Sequence, residues 1–243
     1  MKIEIWSDFI CPFCYIGKRR LEMALDQFPE SDNVTLYYKS YELYPSGAGD
    51  TCMNMHELLA DKYRLTPPKA MEMFEHISAQ AEEIGLKYHL DTMQYVNTFD
   101  AHRLVQYANK QKKGNALTEA LLHAQFSESK NLSDHGILLD ISNRVGLEED
   151  KIVDLLGSRK YGQHVRDDEE QAKEIGIEAV PFFVFNEVYG VPGAQTVDVF
   201  LDVLNKVHEE ETASRDTHFM THYQTETSFC TGEGCKIKHD NEN

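Results

Sequence analysis

Two cysteines separated by two residues, Cys11 and Cys14, lie where a strand-like pattern passes into a helix-like one. Residues 2–6 (KIEIW) are rich in β-branched and aromatic side chains and contain no Gly or Pro, which is typical of a β-strand. Residues 15–28 carry apolar side chains at roughly helical spacing. Pro12 falls in the first turn of the predicted helix, where its missing N–H costs little. The sequence therefore predicts a CPFC motif at a helix N-terminus.

A thiol in that position tends to ionise, because the free N–H groups and the dipole of the helix favour an anion. The thiolate is the form that attacks disulfides, so the motif predicts a redox-active pair. Two other interpretations remain open. The pair could be half of a zinc site, although zinc needs four ligands and no second CxxC or His-x3-His pair lies nearby in the sequence. Alternatively, both thiols could be packing residues without chemistry.

Charge and hydropathy restrict the partners. The formal net charge of −17 argues against nucleic acid or an anionic membrane as a partner, because both would repel the chain. No run approaches 18 consecutive apolar residues, and the N-terminus lacks the charged and apolar regions of a signal peptide. We therefore expect a cytosolic protein, in which a paired CxxC is more often catalytic than a structural disulfide. Five cysteines are too few for a disulfide scaffold.

The pattern of elements predicts an α/β, thioredoxin-like fold with a large all-helical insertion. A second strand is predicted at residues 34–38, about five helices between residues 54 and 158, and a further helix at 167–175. An apolar strand at 182–185, a turn at Asn186-Glu187 and a strand at 188–191 form a hairpin before a final helix that begins near 196. The first two strands should be parallel and the last two antiparallel. The predicted units are a thioredoxin-like domain (1–50 and 165–208), a helical insertion domain (51–164) and a C-terminal tail (209–243).

Several residues are suited to begin helices of the insertion. Thr66 precedes two prolines, Thr98 precedes an apolar helical pattern, and either Ser133 or Asp134 precedes another. Side chains of these types accept hydrogen bonds from the free N–H groups of a helix, so we predict N-caps at these positions.

Val180-Pro181 directly precedes the apolar strand at 182–185. Proline is tolerated at the first residue of a strand, which is the simpler interpretation. The alternative is a cis-proline that faces the CPFC motif and leaves the backbone of Val180 available to an extended peptide. Because the CxxC and the order of elements agree with it, we predict the cis form.

Four segments resemble a known family. Residues 7–14 (SDFICPFC) and 172–185 (AKEIGIEAVPFFVF) resemble the DsbA-like superfamily of thiol–disulfide oxidoreductases. Residues 97–104 (NTFDAHRL) and 193–195 (GAQ) resemble its FrnE branch, which is related to 2-hydroxychromene-2-carboxylate isomerases. The resemblance covers about residues 1–208. It implies that Cys11 is the nucleophile, that Cys14 resolves the mixed disulfide and that Pro181 is the cis-proline beside them.

Two positions depart from the family pattern. Phe13 stands where DsbA has His, so we expect Cys11 to be less acidic and the couple more reducing than in that oxidant. Many thioredoxin-like enzymes carry a buried carboxylate six residues before the first cysteine, and this position is Ile5 here. Asp8 is either a proton relay or an exposed loop acid. We expect Pro12, Phe13 and Val180 to contact the substrate.

A second pair, Cys230 and Cys235, lies on a Gly-containing segment near the C-terminus. The resemblance implies that such a pair exchanges disulfides with the first one. Zinc binding is an alternative, since His218 and His222 would complete a Cys2His2 set. The third interpretation is a tail whose thiols have no role.

The residues together predict a cytosolic protein-disulfide oxidoreductase or isomerase acting on protein or small-molecule thiols and disulfides. We predict no metal and no cofactor, with glutathione as a candidate co-substrate; the oligomeric state is not predicted. His102 is a candidate substrate contact, although a lone helix histidine is more often a packing residue, and Cys52 is predicted to have no role. The alternatives are a glutathione-dependent isomerase of small aromatic compounds and a non-enzymatic adaptor or zinc-binding protein.

Overall fold

The computed structural model describes residues 1–45, 66–213 and 221–222. Within these ranges the strands are β1 (Lys2–Ser7), β2 (Thr35–Ser40), β3 (Phe182–Phe185), β4 (Tyr189–Pro192) and β5 (Thr221–His222). The α-helices are α1 (Pro12–Leu25), α2 (Pro67–Glu83), α3 (Phe99–Lys110), α4 (Gly114–Phe126), α5 (His135–Arg144), α6 (Glu149–Leu156), α7 (Gly162–Glu174) and α8 (Val197–Ala213). None of these helices combines the length and the hydropathy needed to cross a membrane.

The five strands form one mixed sheet in the order β2-β1-β3-β4-β5. β1 is parallel to β2 and antiparallel to β3, and β3 is antiparallel to β4, which confirms both predicted orientations. Successive side chains of a strand point to opposite faces. Accordingly, Ile3 and Ile5 enter the main hydrophobic core, whereas Trp6 packs on the other face with Ala172 of α7 and with Ile177. Both faces of β1 are therefore covered, and five of its six residues are buried although the strand includes Glu4 and Ser7.

The predicted hairpin is confirmed, with β4 starting one residue later than expected. Asn186 and Glu187 have φ values of 48° and 61°, and the N–H of Val188 donates to the carbonyl of Phe185 at 2.9 Å. Two successive residues with positive φ are typical of a type I′ turn, whose twist matches that of the paired strands.

Five of the described helices, α2 to α6, lie between β2 and α7, as the helical insertion predicts. Asp134 caps α5 as expected, accepting hydrogen bonds from the N–H groups of Gly136 and Ile137. Thr66 and Thr98 are the N-cap residues of α2 and α3, as predicted. Neither side chain accepts a hydrogen bond from its helix, so the predicted capping hydrogen bonds are wrong. α7 starts at Gly162, five residues before the predicted start at 167. The domain boundaries stay predictions.

Candidate active site

The CPFC motif occupies the junction between β1 and α1. Cys11 is the N-cap of α1 and has an extended backbone, with φ −91° and ψ 110°, and Pro12 is the first helical residue, as predicted. The N–H of Cys14 donates to the carbonyl of Cys11 at 3.0 Å, which places Cys14 in the first turn. Cys11 is 7% exposed and Cys14 is 2% exposed. The two sulfurs therefore differ in access, and Cys11 is the more exposed, as expected.

The two thiols also differ in acidity. A hydrogen bond from the Cys14 thiol lowers the pKa of Cys11 against the opposing effect of burial, and the N–H groups of Cys14 and Phe13 add to it. Burial raises the pKa of Cys14 well above its usual value, and the negative charge on Cys11 adds to that effect. The site thus holds one thiol prepared to be the nucleophile and one that keeps its proton until the nucleophile has reacted.

Val180 and Pro181 face the motif. Their peptide bond is cis, as predicted, and Cys11 Sγ lies 3.5 Å from the Val180 carbonyl oxygen. The N–H of Gly193 donates to the Pro181 carbonyl at 2.8 Å, which ties this loop to the end of β4. In this conformation the Val180 carbonyl is directed at the sulfur of Cys11, and its pairing with an extended peptide stays a prediction.

Gly17 permits the close approach between α1 and the Pro181 loop. A Cβ added at this position would lie 3.1 Å from both Pro181 Cγ and Phe183 Cζ, and 3.4 Å from the backbone of Ala194. A side chain at this point of α1 would therefore push the helix and the loop apart. The distance between Cys11 and Val180 depends on the absence of that side chain.

Asp8 is fully buried, so its interpretation as an exposed loop acid is wrong. Its Oδ1 accepts a hydrogen bond from Thr98 Oγ1 at 2.8 Å and lies 3.3 Å from His102 Nε2, and its Oδ2 accepts one from the N–H of Leu43 at 2.7 Å. The hydroxyl of Thr98 therefore binds Asp8 and does not cap the N-terminus of α3. His102 is 3% exposed and is directed at Asp8, and its contact with a substrate stays a prediction.

Sequence reasoning did not connect Thr98 and His102 with Asp8. A signal was present: residues 98 and 102 are four apart at the start of a predicted helix, a spacing that puts both side chains on one face. Two buried polar groups on one face of a helix indicate a shared polar partner.

Tyr88 is a further residue of the site, and no pattern in the sequence marks it. Its hydroxyl donates to the carbonyl of Pro12 at 2.8 Å, and its ring stacks on Phe126 with ring centroids 5.0 Å apart. Burial raises the pKa of Tyr88, and the neighbouring Cys11 adds to this effect. A neutral Tyr88 thus fixes the backbone of the CPFC motif from the insertion, at a sequence separation of 76 from Pro12.

In the described part of the chain, no group of three or more His, Cys, Asp or Glu side chains is arranged to hold a metal ion. Cys52, His218, Cys230 and Cys235 lie outside the described residues, and only the backbone of His222 is described, in β5. The predictions on the second cysteine pair, as a redox pair or as a zinc site, are therefore untested.

Comparison with known proteins agrees with this geometry. A family model described as DSBA-like thioredoxin domain matches residues 2–205. The chain belongs to the DsbA-like family. This assignment confirms the resemblance to the DsbA-like superfamily, and with the sheet and helices described above it confirms the thioredoxin-like α/β fold with inserted helices.

Individual relatives span most of the chain. The uncharacterised protein YwbO of Bacillus subtilis is 28% identical over 200 residues, which cover 82% of this chain and 92% of YwbO. The crystal structure of a probable DsbA oxidoreductase from Streptomyces coelicolor is 32% identical and superimposes with a TM-score of 0.82, covering 98% of this chain and 99% of that one. The cytosolic disulfide reductase DsbM from Pseudomonas aeruginosa, solved with GSH, is 13% identical with a TM-score of 0.59, covering 87% and 99%, and shares the fold. A 2-hydroxychromene-2-carboxylate isomerase is also 13% identical and shares the fold, with a TM-score of 0.66 over 87% of this chain and 98% of that one.

Proposed function

We propose that the chain is a cytosolic thiol–disulfide oxidoreductase of the FrnE branch that exchanges disulfides with protein or small-molecule partners through Cys11 and Cys14. The observation that carries the proposal is the unequal pair itself. Cys11 has a lowered pKa at the N-terminus of α1, and Cys14 is a protonated thiol one turn away. Membership of the DsbA-like family supports the same chemistry.

The two cysteines and the substrate disulfide account for all the electrons that the reaction transfers. The thiolate of Cys11 attacks one sulfur of a substrate disulfide, forming a mixed disulfide and releasing the other sulfur as a thiolate that takes up a proton. Cys14 then loses its proton and attacks Cys11 Sγ, which forms the Cys11–Cys14 disulfide and releases the second substrate thiol. Counted from the dithiol, whose Cys11 proton passes to the solvent when the thiolate forms, the protein loses two electrons and two protons and the substrate gains them. Run backwards, the same steps oxidise a dithiol.

A reducing or isomerising direction fits the residues better than a strongly oxidising one. Phe13 offers a hydrocarbon ring where DsbA has His, so its side chain contributes no charge or hydrogen bond to the Cys11 thiolate. A less stabilised thiolate makes the reduced form less favourable and the couple more reducing. A low-molecular-weight thiol would then return the protein to its dithiol form, and glutathione is the first such thiol to test.

The proposal includes an exchange of disulfides between the CPFC motif and the second pair, Cys230 and Cys235, which the resemblance to the FrnE branch implies. In this exchange a thiolate of one pair attacks the disulfide of the other, so the electrons pass between the two pairs without a further reductant.

Disulfide turnover in matched cysteine variants tests the proposal. Insulin reduction with glutathione as the electron donor is measured for the wild type and for Cys11→Ser, Cys14→Ser and Cys52→Ser. We expect Cys11→Ser to lose activity, Cys14→Ser to lose most of it and Cys52→Ser to keep it. Full activity in Cys11→Ser contradicts the proposal, and tight glutathione binding without any disulfide turnover would instead support the isomerase alternative.

A further inference from the structure

Asp8 is a buried carboxylate that the exchange reaction described above does not use. It lies in the turn between β1 and α1, three residues before Cys11, and its side chain is fully buried. Burying a charge costs free energy unless hydrogen bonds satisfy it. The presence of a buried carboxylate beside the two thiols therefore needs an explanation.

The side chain of Asp8 is held by groups from two other parts of the chain. Thr98 Oγ1 at 2.8 Å and the N–H of Leu43 at 2.7 Å donate to its two oxygens. His102 Nε2 lies 3.3 Å from Oδ1, and because an ionised carboxylate has no hydrogen to donate, this contact needs the Nε2–H form of the ring. The three contacts suit an anionic carboxylate.

The backbone of Asp8 is bound to both cysteines. Its carbonyl accepts a hydrogen bond from the N–H of Cys11 at 3.2 Å, and its N–H donates to Cys14 Sγ at 3.4 Å. The contacts from Thr98 and His102 to the side chain therefore also fix the position of the CPFC turn. In this way the start of α3, within the helical insertion, acts directly on the geometry of the redox pair.

The charge of Asp8 opposes the formation of a second negative charge on Cys11. The hydrogen bond from Cys14 lowers the pKa of Cys11, and the repulsion by Asp8 acts in the opposite direction. Tyr41 and Tyr95 also face the carboxylate, and burial, with a contribution from Asp8, raises the pKa of each, so both stay neutral.

The ring of His102 lies 3.3 Å from the Asp8 carboxylate, and its attraction also acts on a second carboxylate, Glu42. Burial raises the pKa of Glu42, and the attraction of His102 and of Arg166 partly offsets this effect. Arg166 Nη1 binds Glu42 Oε2 at 2.5 Å and Glu169 Oε2 at 2.6 Å. The attraction of His102 thus acts on Glu42 as well and is not confined to Asp8.

We propose that Asp8 is a positioning residue for the redox pair, whose buried charge disfavours the Cys11 thiolate and thereby favours the Cys11–Cys14 disulfide over the dithiol. The inference rests on the proposed function, since it assigns a direction to that couple. Forming the reduced state adds two electrons to the disulfide and two protons to its sulfurs. Any ionisation of Cys11 in that state must occur beside the charge of Asp8, which makes the reduced state less favourable and the protein a better reductant.

The variant Asp8→Asn removes the charge and keeps the size of the side chain. The control is Asp168→Asn, because Asp168 is also a buried aspartate and accepts hydrogen bonds from the Ser40 N–H and the Lys39 ammonium on the other face of the sheet. For each variant the equilibrium constant for oxidation of the dithiol by oxidised glutathione is measured, together with the pH titration of the Cys11 thiolate by its ultraviolet absorbance.

For Asp8→Asn we expect that equilibrium constant to fall about tenfold, which corresponds to a reduction potential about 30 mV higher. The thiolate titration should move to lower pH, and Asp168→Asn should leave both quantities within about twofold of the wild type. Both are properties of the cysteine pair alone and need no substrate turnover, so they remain measurable if the proposed activity fails. An unchanged equilibrium constant and titration in folded Asp8→Asn overturn the inference.

A second variant acts without changing Asp8. Thr98→Val removes one donor from the carboxylate and leaves its charge less compensated, so the thiolate titration should move to higher pH, opposite to Asp8→Asn. The control is Thr118→Val, which alters a buried hydroxyl in α4 that has no hydrogen-bond partner among the residues that the structure describes. If Asp8→Asn does not fold, Thr98→Val decides the question alone. A titration that stays unchanged, or that moves to lower pH, in Thr98→Val overturns the inference.

Discussion

Replacing Gly17 by alanine has two effects of opposite sign on the free energy of unfolding. In an ordinary helix this change stabilises by about 1 kcal/mol, because alanine has the higher helix propensity. Here the new methyl group would lie 3.1 Å from Pro181 Cγ and from Phe183 Cζ, whereas carbon atoms are in optimal contact at about 3.5–4.0 Å. Two buried groups must each move by about 0.4 Å or more, and overpacking of this kind costs about 1–3 kcal/mol.

With about 2 kcal/mol for overpacking and about 1 kcal/mol regained from propensity, Gly17→Ala should lower the free energy of unfolding by about 1 kcal/mol. Urea denaturation measures this value, and Asn205→Ala, at an exposed position in α8, shows the smaller propensity gain of an asparagine-to-alanine change without a steric effect. We also expect Gly17→Ala to slow the resolution of a mixed disulfide, because the Pro181 loop moves relative to Cys11. A Gly17→Ala protein that is about 1 kcal/mol more stable than the wild type would refute this reasoning.

Three further predictions concern charge, turn geometry and thiol reactivity. Burial alone would raise the pKa of Glu119, but Lys18, which is 1% exposed, and neighbouring donors hold it below its usual value. Glu119→Gln should therefore lower the free energy of unfolding by about 2 kcal/mol at neutral pH. Because stability from a depressed carboxyl pKa is lost as the pH falls through the folded value, this difference should shrink in acid, and a difference independent of pH would contradict the assignment. Glu187→Gly should stabilise the hairpin by up to about 1 kcal/mol, since glycine adopts the positive φ without strain; thermal unfolding of this variant beside Glu187→Ala measures it, and an equal gain in both would contradict the explanation. Iodoacetamide at neutral pH should alkylate Cys11 before Cys14, and peptide mapping that finds Cys14 modified first would contradict the assigned acidities.

The sequence predicted the parts of the site that depend on neighbouring residues. The strand–helix junction at Cys11 and Pro12 is visible in the sequence, because the spacing of apolar residues changes there from about two to about 3.6. The turn at Asn186-Glu187 is similarly local, since asparagine tolerates a positive φ and the flanking runs are apolar.

The parts that were mispredicted depend on contacts between distant residues. Asp8 looks like a loop acid until Thr98 and His102, about 90 residues away, supply its partners. The start of α7 was placed too late for a related reason. Its N-cap is Tyr161, with a φ of 63°, which capping rules based on Ser, Thr, Asp and Asn do not anticipate. The ring of Tyr161 packs against Tyr107 and under the ammonium of Lys110, so tertiary packing accompanies this unusual start.

The central claim is that Cys11 attacks and Cys14 resolves, and trapping the mixed disulfide tests it most directly. Cys52, Cys230 and Cys235 are first replaced by serine, so that only the CPFC cysteines remain. The dithiol form of this protein and of its Cys14→Ser and Cys11→Ser derivatives is mixed with oxidised glutathione and analysed by intact mass and peptide mapping. We predict a Cys11–Cys14 disulfide without bound glutathione in the parent, one glutathione on Cys11 in Cys14→Ser, and a much slower reaction in Cys11→Ser. A glutathione adduct that forms faster on Cys14 in Cys11→Ser than on Cys11 in Cys14→Ser would contradict the account.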